Sequence, residues 1–370
     1  MKNKTKIISI ILFLSALTML ISCQKQKSEW KGTIEEEDGV TIVKNPKEPM
    51  YGEDAFSLEE ELSIGEAERG EEYIFSQIRS IAVDEKERIY VLDTKEAHVK
   101  VFDKNGDYIK TMGRKGQGPG EMSLPFSICI TTQNEIVVQD LNNRRIMFYS
   151  LDGSFIKSLS TAKIIIVGFN IDSRGNIIGI ISITGPDKQV IELLKFDSEL
   201  NYLYSFGSFF LPSRSSTFNP FMPEFHWAVS KEDNVICGYP ENYEFKLFNP
   251  EGKVIRKVIK DYKPIKITQE EIEETKKRLP GPMKLDIPQY HSAYQDLTID
   301  EENRIFVQTW ERAENEEGYY YDVFDSEGKY IAKIHLKFPP QVFKMNKLYT
   351  IEEDEEEFQM IKRYKVTWKY

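Results

Sequence analysis

The apolar residues of this chain alternate with polar residues in short runs, and the runs come in pairs joined by polar turns. One recurring unit ends an alternating run on an aromatic residue, turns, and begins a second run. It occurs at residues 99–110, 146–157, 193–204, 245–256 and 321–332. Alternation with a period of two predicts β-strands. Asn-Gly, Asp-Gly and Glu-Gly pairs in four of the turns predict tight hairpins, because glycine readily adopts positive φ.

A second strand pair precedes each of these hairpins, so that each repeat has four strands. The pair occurs at residues 81–91, 128–138, 169–179, 227–237 and 297–307. Five four-stranded units with this spacing predict the blades of a β-propeller.

The C-terminal region supplies most of a sixth blade. Residues 342–351 predict two strands and residues 358–366 a third, and no fourth strand follows. The run at 39–44 is the candidate for that strand, and it would close the ring without a free edge. We therefore predict an all-β fold over residues 39–370. It is a six-bladed β-propeller of four-stranded antiparallel blades, closed by an N-terminal strand, and five or seven blades is the alternative.

A glycine-rich stretch at residues 113–125, GRKGQGPGEMSLP, connects the first two blades, and residues 140–146 read DLNNRRI. A Gly-Pro-Gly segment followed by proline, a strand pair and Asp-x-x-Asn-x-Arg-Ile resembles NHL-repeat propellers. The resemblance covers roughly residues 70–370 and is best in the second blade. The first blade departs from it, because residues 93–99 read DTKEAHV. The resemblance implies the fold, which hosts binding modules and enzymes alike.

The N terminus has a basic start, an apolar run at residues 7–21 and then Ser22 and Cys23. This pattern predicts a secretory signal at residues 1–22, too short for a membrane span. Residues 20–23 resemble a bacterial lipobox, which implies that Cys23 carries lipid and that residues 23–38 begin a polar tether. An uncleaved anchor helix is the alternative. Both interpretations place the globular part in the cell envelope outside the cytoplasm, on the outer membrane or periplasmic side where a cell has two membranes.

The chain is acidic, with a formal net charge of −11. Removing residues 1–22 takes away three lysines and no acidic residue, which changes this charge to −14. A surface of this sign repels phosphate backbones. The composition therefore argues against nucleic acid as a partner, although some NHL propellers bind RNA.

The loops between second and third strands, and the connections between blades, share one face of a propeller. The resembling families bind ligands on this face. The candidate binding residues there are Arg79, Asp93, Asp140, Arg144, Arg145, His226, Tyr239, Tyr243, Tyr294, Trp310 and Arg312. Tyrosine, tryptophan and arginine are enriched at binding hot spots. The alternative is structural: Asp140 caps a turn, the arginines pair with neighbouring blades, and His226 is a hydrogen-bonded residue at the axial end of an innermost strand.

Two insertions are expected on this same face. The connector at residues 207–227 is long and rich in phenylalanine, which indicates either a private mini-core or a ligand-facing loop. An insertion at about residues 268–292 contains one short helix, because Thr268 and Glu271 form a capping box and basic residues follow. Together the two insertions predict a lid or a walled pocket.

Three functions fit these observations. The first is a lipid-anchored binding module for a peptide, glycan or protein. The second is a metal-dependent hydrolase or lyase, similar to lactonases or an amidating lyase, for which His98, His226 and His291 are the candidate ligands. The third is an envelope scaffold. The pattern identifies no cofactor, no metal and no catalytic residue.

Overall fold

Six four-stranded antiparallel blades form a ring, which confirms the predicted six-bladed β-propeller, and two N-terminal strands extend the sheet of one blade. The structure is a computed structural model that describes residues 29–184, 188–212, 217–279, 281, 284–312 and 317–370. The predicted signal peptide, Cys23 and the start of the tether lie outside the described residues. Within the described part of the chain, no helix is long and apolar enough to cross a lipid bilayer.

Three strands precede the first blade: β1 (Thr33–Glu37), β2 (Val40–Asn45) and β3 (Phe56–Ile64). A single 3₁₀ turn at Glu53–Ala55 precedes β3, and two more follow it at Ala67–Arg69 and Glu71–Tyr73. Blade one contains β4 (Ile78–Val83), β5 (Ile89–Asp93), β6 (His98–Phe102) and β7 (Tyr108–Met112). Blade two contains β8 (Pro125–Ile130), β9 (Glu135–Asp140), β10 (Arg145–Ser150) and β11 (Phe155–Ser160).

The remaining blades follow in chain order. Blade three contains β12 (Ile166–Ile171), β13 (Ile177–Thr184), β14 (Lys188–Phe196) and β15 (Tyr202–Pro212). Blade four contains β16 (His226–Val229), β17 (Val235–Gly238), β18 (Glu244–Phe248) and β19 (Val254–Lys260). The helix α1 (Gln269–Arg278) separates it from blade five, with β20 (Asp296–Ile299), β21 (Ile305–Gln308), β22 (Tyr319–Phe324) and β23 (Tyr330–Leu336). Blade six contains β24 (Pro340–Lys344), β25 (Lys347–Glu353) and β26 (Gln359–Trp368), completed by β3.

The core consists of apolar clusters between adjacent blades, so each blade is buried on both faces. Along β9, Ile136 and Val138 pack towards blade one, whereas Val137 between them packs towards blade three. Equivalent clusters fill the other seams around the ring. Alternate side chains of a strand point to opposite faces, which explains why the central strands are almost continuously apolar. The hairpin glycines Gly106, Gly153, Gly252 and Gly328 have φ between 79° and 85°, as predicted from the turns.

Closure by an N-terminal strand is confirmed, but the prediction that residues 39–44 form this strand is wrong. The closing strand is β3, which pairs antiparallel with β26. Its acidic centre lies against basic residues of β26: Glu60 is 2.9 Å from Lys362, and Glu61 is 3.2 Å from Arg363. These ion pairs match β3 to the edge of blade six. The same acidic run interrupts the apolar–polar alternation of β3, so the sequence pattern does not indicate a strand there.

The run at 39–44 lies instead in β2, which pairs parallel with β19 at the outer edge of blade four. Strand β1 then pairs with β2, so residues 33–37 belong to a strand although the sequence predicts a tether up to residue 38. Blade four is consequently a six-stranded sheet. Backbone hydrogen bonds do not depend on side-chain identity, and an alternating run can therefore pair with any open edge of suitable length.

Residues 33–64, named here the N-terminal strap, run along the outside of blades four, five and six. Asn45 lies at the first crossing and is 4% exposed. Its amide nitrogen donates to the carbonyl of Gly328 at 2.9 Å, and its amide oxygen accepts from the backbone N–H of Tyr330 at 2.7 Å. The N–H groups of Met50 and Tyr51 then donate to carbonyls of β23. The strap therefore covers the outer strands of blades four and five before β3 completes blade six.

Candidate functional site

The blade four–five pocket is a cavity of about 940 Å³ bounded by the inner side of the strap, blades four and five, and the chain on either side of α1. Its lining comprises Lys47, Glu48, Pro49, Tyr243, Lys260, Tyr262, Lys263, Pro264, Ile265, Lys266, Tyr290, Ser292, Ala293, Thr309, Trp310, Glu311, Asp322, Tyr330 and Lys333. The pocket lies away from the axial channel, a separate space of about 640 Å³ lined by residues from all six blades.

The floor of the pocket is a buried polar cluster centred on Asp322 in β22. The Tyr243 hydroxyl donates to one carboxylate oxygen at 2.6 Å, and the Tyr330 hydroxyl donates to the other at 2.5 Å. The Lys260 ammonium is 3.4 Å from the same carboxylate, and the two side chains are only 6% and 3% exposed. Because each carboxylate oxygen accepts a hydrogen bond and the Lys260 charge offsets that of Asp322, the carboxylate can remain buried.

The sequence positions these groups at strand ends. Tyr243 immediately precedes β18, Lys260 ends β19, and Tyr330 begins β23. Burial, and after it the Asp322 charge, raises the pKa of Tyr243 and of Tyr330 above the usual tyrosine range. Both hydroxyls therefore stay protonated and keep donating to Asp322. Lys260 also lies over both tyrosine rings, 5.1 Å and 4.6 Å from their centroids, a cation–π arrangement.

One wall of the pocket is aromatic and is fixed by the insertion that contains α1. The Trp310 ring stacks on the His291 ring with centroids 4.0 Å apart, and its indole N–H donates to the Ser292 hydroxyl at 3.2 Å. Phe221, from the connector after blade three, packs edge-on against His291 at 5.7 Å. The two insertions thus meet on one face, as the sequence predicted, and Trp310 is held in a defined orientation.

The helix is connected to this wall by a short series of contacts. Thr268 and Glu271 form the predicted capping box, and the other Glu271 oxygen is 3.2 Å from the His291 ring nitrogen Nε2. None of the helical residues is buried. A helix with so little buried surface depends on its few tertiary contacts to stay packed against the pocket wall, which is called its closed position here.

The mouth of the pocket is basic. Lys47, Lys263 and Lys266 are exposed there, and none of them has an ion-pair partner among the described residues. Of the three lining carboxylates, Asp322 faces Lys260, and Glu311 is paired with Lys333. Glu48 alone opposes the three mouth lysines. The pocket therefore carries excess positive charge in a chain whose formal net charge is −11.

Of the residues predicted from the sequence, Tyr243 and Trp310 line the pocket. Tyr294 lies beneath it, fully buried, with its ring 5.4 Å from that of Tyr243. Arg312 is exposed nearby and donates to the Tyr319 hydroxyl at 2.7 Å, outside the lining. Tyr239 stacks on Phe209 at 4.9 Å and borders a smaller cavity of about 330 Å³ between blades three and four.

Asp93 and Asp140 are fully buried turn caps. Asp93 accepts from the N–H groups of Ser76 and Gln77, and Asp140 accepts from those of Ser123 and Leu124. Their carboxylates are thereby committed to fixing the connections that lead into β4 and β8.

The three predicted arginines of blades one and two do not share one site. Arg145 donates to three carbonyls of the glycine-rich connector, at Gln117, Gly118 and Glu121. The DLNNRRI motif therefore holds this connector in place. Arg144 is exposed, in a turn with φ of 49°. Arg79 lies 4.2 Å above the Phe126 ring, in the neighbouring blade.

The histidines do not converge. His98 belongs to β6 of blade one, and His291 belongs to the insertion. His226, at the start of β16, is 3.0 Å from the Asp296 carboxylate of blade five, an ion pair only when the histidine is protonated. Across the described ranges there is no group of three or more histidine, cysteine, aspartate or glutamate side chains arranged to hold a metal ion.

Sequence reasoning missed Lys260, Tyr262, Asp322 and Tyr330. The sequence contains a signal for Asp322, because none of the equivalent positions in the other hairpins is acidic. These positions are Lys100, Met147, Leu194 and Lys246. An acidic residue in that buried strand needs a partner from elsewhere in the fold. The identity of that partner depends on how blade four packs on blade five.

We expect the insertion to open at mildly acidic pH. Burial, and after it the nearby Arg312 charge, outweighs Glu271 and lowers the pKa of His291 below 6.5. The closed form therefore binds the proton less readily than the open form. Its stability is complete above about pH 6.5 and decreases as the pH falls towards the lowered value. Hydrogen exchange of residues 269–278 should be faster at about pH 5.5 than at about pH 7.5, after correction for intrinsic exchange rates.

The matched variant for this measurement is His291→Phe, which keeps a ring against Trp310 and cannot titrate. Glu271 also has a lowered pKa despite its burial, because Thr268 and His291 hydrogen-bond to it, but it protonates at lower pH. The exchange rate of the variant should therefore be the same at both pH values. An equal pH effect in the variant would show that another group controls the helix.

Comparisons with known proteins agree on the fold. A family profile described as a 6-bladed beta-propeller (DUF5128) matches residues 68–201. The chain is 38% identical over 48 residues to Protein lin-41 of Caenorhabditis elegans, 13% of this chain and 4% of that one. It is 40% identical over 52 residues to the mouse E3 ubiquitin-protein ligase TRIM32, 14% and 8% of the two chains. These short matches support the NHL-like repeat. A third relative is Protein brain tumor of Drosophila melanogaster. The chain spans only 4% to 12% of the length of these three curated relatives.

Two solved structures share the fold over most of their length. One is a Bacteroides fragilis protein described as exported, with a TM-score of 0.56, 13% identity, and coverage of 89% of this chain and 100% of that one. The other is a DUF4221 member from Bacteroides vulgatus, with a TM-score of 0.53, 14% identity, and coverage of 86% and 100%. At this level of identity the likeness concerns the fold alone.

Proposed function

We propose that this six-bladed β-propeller is a lipid-anchored, extracytoplasmic binding protein and that the blade four–five pocket is its ligand site. The observation that carries the proposal is the pocket itself. Its volume of about 940 Å³ suits a small-molecule ligand. Its floor is a hydrogen-bonded buried polar cluster, and its wall is the Trp310 ring, stacked on His291 of the insertion that contains α1. Such a combination of apolar surface with a few fixed polar groups is typical of ligand sites.

The proposed location rests on the N terminus. Residues 1–22 have the order of a secretory signal, and Cys23 follows in a lipobox-like sequence. The Bacteroides fragilis neighbour is described as exported, which is consistent with a propeller working outside the cytoplasm. The proposed ligands are peptides, glycans or a protein surface, and the acidic charge of the chain argues against nucleic acid.

The test is a screen of glycan and peptide arrays with the purified protein, followed by titration of each hit against Trp310→Ala. Removing the indole should weaken binding about tenfold or more, because large aromatic anchors dominate binding energy. Arg312→Ala is the matched control, since Arg312 belongs to the same loop but lies outside the lining. Equal affinity of Trp310→Ala and the unaltered protein for every hit would exclude this pocket.

An enzyme remains the second candidate because His226 lies 3.0 Å from Asp296. A carboxylate that orients an imidazole is an arrangement used in general base catalysis. Mass spectrometry of the recovered array ligands separates the two functions. A binding protein returns the ligand unchanged, whereas a hydrolase or lyase returns it cleaved.

A further inference from the structure

We propose that the blade four–five pocket selects an anionic saccharide, a ring-bearing ligand with a carboxylate or sulfate group. This inference rests on the proposed function and specifies the ligand class for that same site. The shared chemistry is a negative charge on a hydroxyl-rich ring, and the experiment below distinguishes the carboxylate from the sulfate.

Lysines give the pocket an excess of positive charge. The described lining contains five lysines, three carboxylates and no arginine. Lys260 and Lys333 are neutralised by Asp322 and Glu311, which leaves Lys47, Lys263 and Lys266 opposed by Glu48. A local excess of positive charge on a protein of net charge −11 concentrates anions at that point while the remaining surface repels them. Lysine is a compact point charge with three donors, suited to a single anionic group.

Aromatic residues give the pocket flat apolar surfaces. Trp310, Tyr262 and Tyr290 all line the pocket, and Tyr290 is 39% exposed. Rings of this kind offer a flat apolar face with a polar edge. Ser292 and Thr309 also line the pocket, but their hydroxyls already donate to the carbonyls of Tyr294 and Tyr320, so the polar edges come from the aromatic residues. A saccharide ring has the matching combination, since its C–H face is apolar and its edge carries hydroxyl groups.

The strap argues against an extended peptide. Peptides often bind by adding a strand to an open sheet edge. At blade four this edge is occupied by β2. At blade five, the N–H groups of Met50 and Tyr51 already donate to the carbonyls of Tyr330 and Ile331 in β23. The strand-addition mode of peptide recognition is therefore already used on both sides of the pocket, and side chains remain for the ligand.

The experiment is calorimetric titration of the purified protein with four probes: a galacturonic acid trisaccharide, a neutral galactose trisaccharide, a 6-sulfated galactose trisaccharide and triglutamate. We expect at least one acidic saccharide to bind about tenfold or more tightly than the neutral one, with affinity decreasing at high salt. The stronger of the two acidic probes identifies the carboxylate or the sulfate as the preferred group.

The variant that tests the mouth lysines is Lys263→Gln combined with Lys266→Gln. It should weaken binding of the acidic saccharide about tenfold and change binding of the neutral one less than about twofold. The control is Lys115→Gln combined with Lys163→Gln, which removes two exposed lysines from the connectors on either side of blade two. This control should leave both affinities unchanged.

The outcomes separate the two proposals. Equal binding of neutral and acidic saccharides, with loss of both in Trp310→Ala, overturns the anionic class but retains the pocket as a ligand site. Binding of triglutamate in preference to every saccharide overturns the saccharide class in favour of an acidic peptide. Saccharide binding that neither the lysine variant nor Trp310→Ala alters overturns the assignment of this pocket and with it the proposed function.

Discussion

Replacing Asp322 with alanine should lower the free energy of unfolding by about 3–5 kcal/mol, because the change leaves the Lys260 charge buried without its carboxylate. It also removes the acceptor of the Tyr243 and Tyr330 hydroxyls, which are both buried. An unsatisfied buried donor adds its own desolvation cost. Urea denaturation monitored by tryptophan fluorescence measures the change as a shift of the midpoint.

Two variants make this result interpretable. Adding Lys260→Met to Asp322→Ala removes the orphaned charge, so that the double variant should be more stable than Asp322→Ala alone. Glu327→Ala breaks an ion pair with Lys329 on an exposed turn and should cost no more than about 1 kcal/mol. If Asp322→Ala unfolds at the same midpoint as the unaltered protein, the floor of the pocket does not depend on this carboxylate.

Deleting residues 29–45 should lower the free energy of unfolding by at least about 3 kcal/mol without opening the ring. Val43 is fully buried, and its loss removes about 1.5–2 kcal/mol of burial free energy. Loss of Asn45 leaves the Tyr330 N–H and the Gly328 carbonyl without partners, at about 1–3 kcal/mol for each unsatisfied group. Thermal and urea unfolding measure the total effect.

Two further deletions distinguish the contacts of the strap with blades four and five from the closure of the ring by β3. Deleting residues 29–37 removes β1, whose residues are all exposed, and should change stability by no more than about 1 kcal/mol. Deleting residues 29–64 also removes β3 and opens blade six, and we expect this chain not to form a closed propeller. Identical stability of the 29–45 deletion and the full chain would mean that the strap does not hold blades four and five together.

The fold was predictable because the strands of a propeller blade are neighbours along the chain. Each four-stranded unit occupies consecutive residues, its hairpins are marked by glycines with positive φ, and its strands are apolar on both faces. The capping box of α1 was predictable for the same reason, since Thr268 and Glu271 are three residues apart. In the pocket, Tyr243 and Trp310 could be identified from residue type and loop position.

The sequence by itself thus determined the blades, their number, the turns and the helix, all of which depend on interactions over a few residues. Only the tertiary structure decided which strand closes the ring, because Glu60 and Lys362 are 302 positions apart. It also decided the floor of the pocket, where Tyr243 and Asp322 come from different blades. Such contacts depend on how blades pack around the axis, and the backbone groups of a strand can pair with any open edge, so no local pattern identifies the partner.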